Sequence, residues 1–137
     1  MAQTARQAAV IPVADGRVCM VTSSSGRRWV LPKGMIDAGH TAGEAALTEA
    51  WEEAGLVGIL NAEPVGSYLY DKYGRTHHVT VFVLQVTDMA ADWPEKLVRR
   101  REWLEPDQAI DRIEEAGLRD LLDAVFHVPE WAESRQA

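Results

Sequence analysis

One cysteine, Cys19, is all that the 137-residue chain carries, so an internal disulfide framework and a cysteine-based zinc site are both excluded. Cys19 sits in an apolar run and reads as a small buried hydrophobe. No apolar run is long enough and free enough of charge to span a bilayer. Residues 1–7 also lack the apolar core of a signal peptide, and a cytoplasmic protein without a membrane partner is expected. Positive charge is scarce. Fourteen Lys and Arg against 21 Asp and Glu leave a formal net charge of −7. Such a chain has no surplus of cations to displace counterions from a phosphate backbone, which argues against extended nucleic acid as a partner. A small anionic substrate stays admissible, because a bound cation and a few local Arg or Lys side chains set the field within one cleft. Internal repeats and low-complexity segments are absent as well. The length suits a single domain over 1–137, with 130–137 a loose tail in which Trp131 is placed to dock on the domain or on a second subunit.

The scarcity of cations is sharpest in one place. Between Lys33 and Lys72 there is no Lys or Arg, yet the interval holds Asp37, Glu44, Glu49, Glu52, Glu53, Glu63 and Asp71. Thr41 and Glu44 have capping-box spacing, the residues from Ala42 to Ala54 favour helix apart from Gly43 and Thr48, and Gly55 suits a left-handed C-terminal closure. At 100° per residue Leu47, Ala50, Trp51 and Ala54 fall on one side of this helix. Glu49, Glu52 and Glu53 fall on the other, together with Ala42, Ala45 and Ala46, whose small size leaves room for a ligand. The three carboxylates repel as i, i+3 and i+4 neighbours, and they lie where the helix dipole disfavours negative charge. Their neutralisation has to come from another segment or from a cation. Oxygen donors on a rigid helix suit Mg²⁺ or Mn²⁺, ions shared readily with substrate phosphates. The plainer alternative is a solvated acidic face.

The stretch from Gly34 to Leu56 resembles the Nudix box, G-x5-E-x7-R-E-U-x-E-E-x-G-U, where U is a bulky aliphatic residue. Gly34, Glu49, Glu52, Glu53, Gly55 and Leu56 match in register, with Ala50 a small occupant of the first U position. Two positions depart: His40 stands for the first Glu and Thr48 for the Arg, which in the family commonly pairs with a catalytic carboxylate and orients it. The resemblance implies an α/β fold, the Nudix α/β/α sandwich with a mixed, largely antiparallel sheet. It also implies Mg²⁺-dependent hydrolysis of a diphosphate linkage. Glu49, Glu52 and Glu53 would hold the metal with the Gly34 carbonyl, and Glu53, or alternatively Glu49, would act as general base. His40 reads as a loop residue without a catalytic role.

The remaining chain supplies strands and cations. Residues 8–13 and 18–22 read as a hairpin about the turn at Ala14 to Gly16, with Pro12 marking a strand that is interrupted or lies at an edge. Arg27 to Leu31 reads as a strand leading into Pro32, Lys33 and Gly34. In the segment from Val65 to Tyr70, Ser67 and Leu69 face away from Tyr68 and Tyr70. A hairpin loop over 71–76 then leads to a long, mostly apolar strand over 78–86 expected at the sheet centre. Lys96 to Leu104 has strand character, Pro106 to Ile113 suits a short helix, and Leu118, Leu121, Leu122, Val125 and Phe126 keep amphipathic helical spacing.

The Trp-Val-Leu-Pro-Lys-Gly lead-in from Trp29, the pattern of Tyr68, Tyr70 and Lys72, and the Trp93-Pro-Glu segment look like the diphosphoinositol polyphosphate phosphohydrolase branch of the Nudix family and its bacterial relatives. That likeness points to an inositol pyrophosphate or a diadenosine polyphosphate as substrate, with nucleotide sugars or nucleoside triphosphates as the rival class. A non-catalytic nucleotide-binding module is the third reading, motivated by His40 and Thr48. Lys33, Lys72, Arg75, Arg99 and Arg101 are the candidate phosphate ligands, and an arginine of the 99–101 run is a candidate to replace the missing box Arg. Glu95 and Glu102 are candidates for an additional metal ligand or base. The competing explanation for the arginine run is edge-strand protection by charge. A monomer or a homodimer is expected.

Overall fold

Two turns of one design organise the sheet. Asp15 and Gly16 have φ of 51° and 73°, and Tyr73 and Gly74 have φ of 54° and 71°. Left-handed geometry at both central residues matches the twist of antiparallel strands. The first turn joins β1 (Ala5–Ala14) to β2 (Arg17–Thr22), and the second joins β6 (Gly66–Lys72) to β7 (Arg75–Met89). The 71–76 loop read from sequence is therefore only Tyr73 and Gly74. The computed structural model describes residues 4–127, so the expected tail and Trp131 lie outside the described residues.

The two hairpins meet through β1 and β7, which pair in parallel from Ala5 opposite His77 to Val13 opposite Gln85. Around this centre the order is β3 (Trp29–Val30), β2, β1, β7, β5 (Leu56–Leu60). β4 (Lys33–Met35) also pairs with β1, β6 with β7, and β8 (Arg101–Leu104) with β2. All of these pairings except β1 with β7 are antiparallel. Helix α1 (Ala42–Ala54) covers one face, on Ala8, Val10, Cys19, Val21, Phe82 and Leu84. α2 (Pro106–Arg112) and α3 (Ala116–Phe126) close the other, where Leu118 and Leu122 are buried over Ile11, Met20, Val79 and Val81. Each of these two leucines contributes roughly 1.5–3 kcal/mol by leaving water. The α/β/α sandwich and the central place of β7 agree with the sequence reading.

Three expectations change. Pro12 is fully buried in a central strand, not at an edge. The Val10 N–H donates to the Pro32 carbonyl, and the nitrogen of Pro12, two residues on, points to the same side. There the neighbour of β1 changes from β4, which ends its pairing at Ala9, to β2, which begins at Val13, so no ladder bond is lost. The strand expected over 27–31 is confined to Trp29–Val30, and that expected over 96–104 to Arg101–Leu104. Residues 94–98 form turns instead, with Leu97 wholly exposed.

The third change concerns α1. Its buried residues are Ala45, Ala46, Ala50, Glu53 and Ala54, while Leu47 and Trp51 stay 41% and 40% exposed. Alanines allow the closest approach of helix to sheet, and the two bulky residues are left at the margin. Ala45 and Ala46 thus make the packing interface rather than room for a ligand, and one carboxylate, Glu53, is carried inward with them. Replacing Ala50 with Leu should lift α1 from the sheet at a cost of about 1–3 kcal/mol, read as a lower denaturation midpoint. An unchanged midpoint would contradict this packing.

Candidate active site

The capping box predicted at Thr41 and Glu44 is formed: the Glu44 N–H donates to the Thr41 hydroxyl at 3.1 Å and the Thr41 N–H to the Glu44 carboxylate at 2.9 Å. At the other end Gly55 adopts φ 63°, and its N–H returns to the Trp51 carbonyl at 2.9 Å. The last carbonyls of a helix have no partner within it. Here the segment 90–101 supplies them all. Glu95 N–H donates to Glu52 O (3.0 Å), Trp93 Nε1 to Glu53 O (2.9 Å), Arg101 to Ala54 O (2.7 Å) and Ala90 N–H to Gly55 O (2.9 Å). The Arg101 guanidinium also lies 4.0 Å from the centroid of the Trp93 ring and donates to Ala90 O. A side chain at position 55 would run into Trp93, so Gly55 serves both its own φ and this contact.

The pinned turn carries the carboxylates. Glu53 is 4% exposed, Glu49 is partly buried, and the two are hydrogen-bonding neighbours. Burial pushes the Glu53 carboxyl far above its ordinary value of 4.5, the shared hydrogen bond with Glu49 adds to this, and Arg99 opposes it. Glu49 is raised by burial as well, with Glu52 and Glu95 adding repulsion. Gly34 lies against Glu49 so closely that a Cβ there would collide with the carboxyl group.

Arg99 is the cation that reaches this cluster. Its side chain is 12% exposed, its Nε donates to Glu95 at 2.8 Å and one Nη donates to Thr22 O at 2.8 Å. The same Nη lies 3.7 Å from Glu53, within ion-pair range but beyond a good hydrogen bond. Of the two acids offered by the sequence, Glu95 joins the cluster and Glu102 does not. Glu102 shares a face of β8 with Leu104, which packs in the core beneath α2 and α3, and it pairs with Arg112 at 3.3 Å. Arg101 is engaged by the carbonyls of Ala54, at the helix end, and Ala90 rather than turned to the carboxylates.

The other candidate cations are on the far side of the sheet. Lys33 is aligned with Ala9, whose side chain belongs to the core under α2 and α3, whereas Gly34 is aligned with Ala8 under α1. Lys33 Nζ sits 5.0 Å from the Tyr70 ring centroid, and burial lowers its pKa. It lines a recess of about 270 Å³ with Arg28, Tyr70, Lys72, Glu114 and Glu115. Arg75 is exposed beside Lys72 at the β6–β7 turn. Tyr68 is a core residue, and Tyr70 stacks on His77 with ring centroids 4.7 Å apart. His40 and Thr48 are exposed and line a smaller recess of about 160 Å³ beside Glu49. Sequence reasoning missed the Thr22 carbonyl and the indole of Trp93. The unusual acidity of a helix C-terminus was the available signal that a donor-rich segment must cover it.

A hard divalent cation suits the donor set. Buried carboxyls that otherwise need a proton between them, with a side-chain-free backbone at Gly34 facing one of them, are oxygen donors in want of positive charge. Among the described residues no three His, Cys, Asp or Glu side chains are already gathered as a coordination group, so Glu52 would have to turn inward to become a third ligand.

The model of the NUDIX domain matches residues 4–125. Nudix hydrolase 4 of Arabidopsis thaliana is 31% identical over 82% of this chain and 55% of its own length. Diphosphoinositol polyphosphate phosphohydrolase 3-beta of Bos taurus is 34% identical over 70% of this chain and 59% of its own length. The chain thus spans little more than half of these curated relatives. Among solved structures, a NUDIX hydrolase from Nitrosomonas europaea superposes with a TM-score of 0.76 at 18% identity, covering 88% of this chain and 87% of that one. This last likeness is one of fold.

Because Glu53 binds its proton more tightly folded than unfolded, the metal-free protein should lose stability as pH rises above about 5 toward the raised folded pKa. Glu53→Gln should flatten that slope and, near neutral pH, stabilise the metal-free protein by roughly 1–3 kcal/mol. Thermal denaturation in chelator across pH checks both. A wild-type midpoint that rises over the same interval would contradict the assignment.

Proposed function

This chain belongs to the NUDIX family, and on that premise we propose that it is a divalent-metal-dependent pyrophosphohydrolase acting on a small polyphosphorylated metabolite. The observation that carries the reading is buried Glu53 beside partly buried Glu49, the latter held against Gly34, on a helix end that another segment fixes. A purely structural helix gains nothing from burying two like-charged groups side by side, since each loses hydration and repels the other.

Glu49, Glu52, Glu53 and the Gly34 carbonyl would hold Mg²⁺ or Mn²⁺, which when bound supplies charge neutralisation for phosphate oxygens and acidifies water. Glu53 is the proposed general base, with Glu49 the alternative. The support for that role is position: Glu53 is buried on the pinned helix end, 3.7 Å from Arg99. Attack is in line at phosphorus, so the protein contributes chiefly by position and fixed charge. Glu95, close enough to raise the pKa of both acids, is the proposed additional ligand or base.

For the substrate we favour an inositol pyrophosphate or a diadenosine polyphosphate. The support is the likeness to diphosphoinositol polyphosphate phosphohydrolases; in the recess beside Lys33 and Lys72, Arg28 is already paired with Glu114 and Glu115, which leaves the two lysines as the proposed contacts for a second anionic group. Nucleotide sugars and nucleoside triphosphates are the rival class. Tyr68 is unavailable to stack a base, which weighs against every nucleotide-containing substrate, diadenosine polyphosphates included, and leaves an inositol pyrophosphate untouched. A cytoplasmic location is proposed; among the described residues no helix is long and apolar enough to cross a membrane.

Phosphate release with and without Mg²⁺ should be measured across inositol pyrophosphates, diadenosine polyphosphates, nucleotide sugars and nucleoside triphosphates. Metal-dependent turnover of the first two classes is expected, with kcat lowered by about 10²–10⁴-fold in Glu53→Gln. Tight binding without turnover by either protein would instead identify a nucleotide-binding module. Lys33→Met should raise KM severalfold while kcat holds, and a loss confined to kcat would remove Lys33 from substrate binding.

A further inference from the structure

The box helix contains no cation at all, and its position 48, where the family pattern has Arg, is the exposed Thr48. We propose that Arg99 replaces that missing arginine as the positioning residue of Glu53, reaching the carboxylate from the segment after β7 instead of from the helix. This rests on the hydrolase reading given above.

Three observations converge on it. First, Arg99 is buried almost as deeply as the acid it faces, with side chains 12% and 6% exposed, so the pair interacts with little screening by solvent. Second, the guanidinium is fixed by bonds that do not involve Glu53. Nε is held by Glu95 and Nη by the Thr22 carbonyl, both at 2.8 Å, so the charge stands in place before Glu53 is engaged. The planar fork holds Nε on the carboxylate and Nη on the carbonyl in one fixed geometry, whereas the ammonium of Lys is a point charge on a flexible stem. Third, the support is tied to the helix it serves, since Glu95 N–H caps Glu52 O and Trp93 caps Glu53 O. Shifting the arginine off the helix would otherwise uncouple it from the carboxylate. At 3.7 Å the guanidinium holds Glu53 to one side without a short hydrogen bond to the carboxylate oxygen that faces it.

The test uses Arg99→Met, which keeps most of the stem, together with Glu53→Gln and the double variant. Unfolding of the metal-free full chain is followed at alkaline pH, where carboxyl groups are ionised. The Arg99→Met change should shift the unfolding equilibrium at least fivefold less in the Glu53→Gln background than in wild type. On the substrate that wild type turns over, Arg99→Met should lower kcat by about 10–10³-fold with KM within about threefold, and millimolar guanidinium should restore kcat at least fivefold where equal NaCl does not. Additive stability effects would overturn the proposal, as would a loss expressed in KM, the mark of a phosphate ligand. If wild type turns over nothing, the hydrolase reading fails, while the stability cycle still decides whether Arg99 acts on Glu53.

Discussion

Everything at the acidic end of α1 depends on the capture of its terminal carbonyls. Left unpaired in a packed interface, each would cost about 1–3 kcal/mol, and four of them meet donors between Ala90 and Arg101. The helix therefore cannot end where it does without that segment, nor can the segment hold its turns without the helix. The arrangement also answers the dipole. Three glutamates crowd the negative end of the helix, and Arg101 brings its guanidinium to the final turn while Arg99 stands beside the carboxylates.

Charge counting then limits what the cluster does. Glu49, Glu53 and Glu95 face one buried cation, Arg99. Even complete neutralisation by that guanidinium leaves an excess of negative charge in a site with little water. Such an excess is resolved by a proton or by a second cation, so the proposed metal would have to displace a proton from the same group of side chains. Neighbouring positive charge on the far face of β4 remains distinct, because Lys33 and Gly34 alternate across the strand.

Much of this was legible in the chain. The helix limits, its capping box and its left-handed closing Gly55 follow from local propensity and were read to the residue. The two-faced sandwich and the central β7 follow from apolar runs and from the resemblance in the box. The burial of Cys19 also agrees with the reading of its apolar run. What escaped notice was of one kind. The inward tilt of Glu53 is decided by alanines that pack more closely than Leu47 and Trp51, a comparison between surfaces rather than a periodicity. The place of Pro12 is not visible in sequence because its tolerance depends on where β4 stops and β2 starts beside β1. The arginine run looked like a strand, but three successive guanidinium groups went to three different acceptor sets: Arg99 to Glu95 and Thr22, Arg100 over the Trp29 ring, Arg101 to Ala54 and Ala90. No rule of spacing distinguishes these.

The parallel seam between β1 and β7 has a consequence for the order in which the molecule assembles. Each hairpin closes over a two-residue turn and needs no help from distant sequence, but the seam joins residues 5–13 to 77–85 with the whole box helix in the intervening loop. Closing so long a loop carries an entropic penalty before any contact rewards it. The hairpins can accordingly form early, while the seam, the docking of α1 and the arrival of Arg99 beside Glu53 belong to the final ascent. Two like-charged acids are thereby kept in water until α1 docks, and their mutual repulsion is met in the same step that buries the apolar surface beneath that helix.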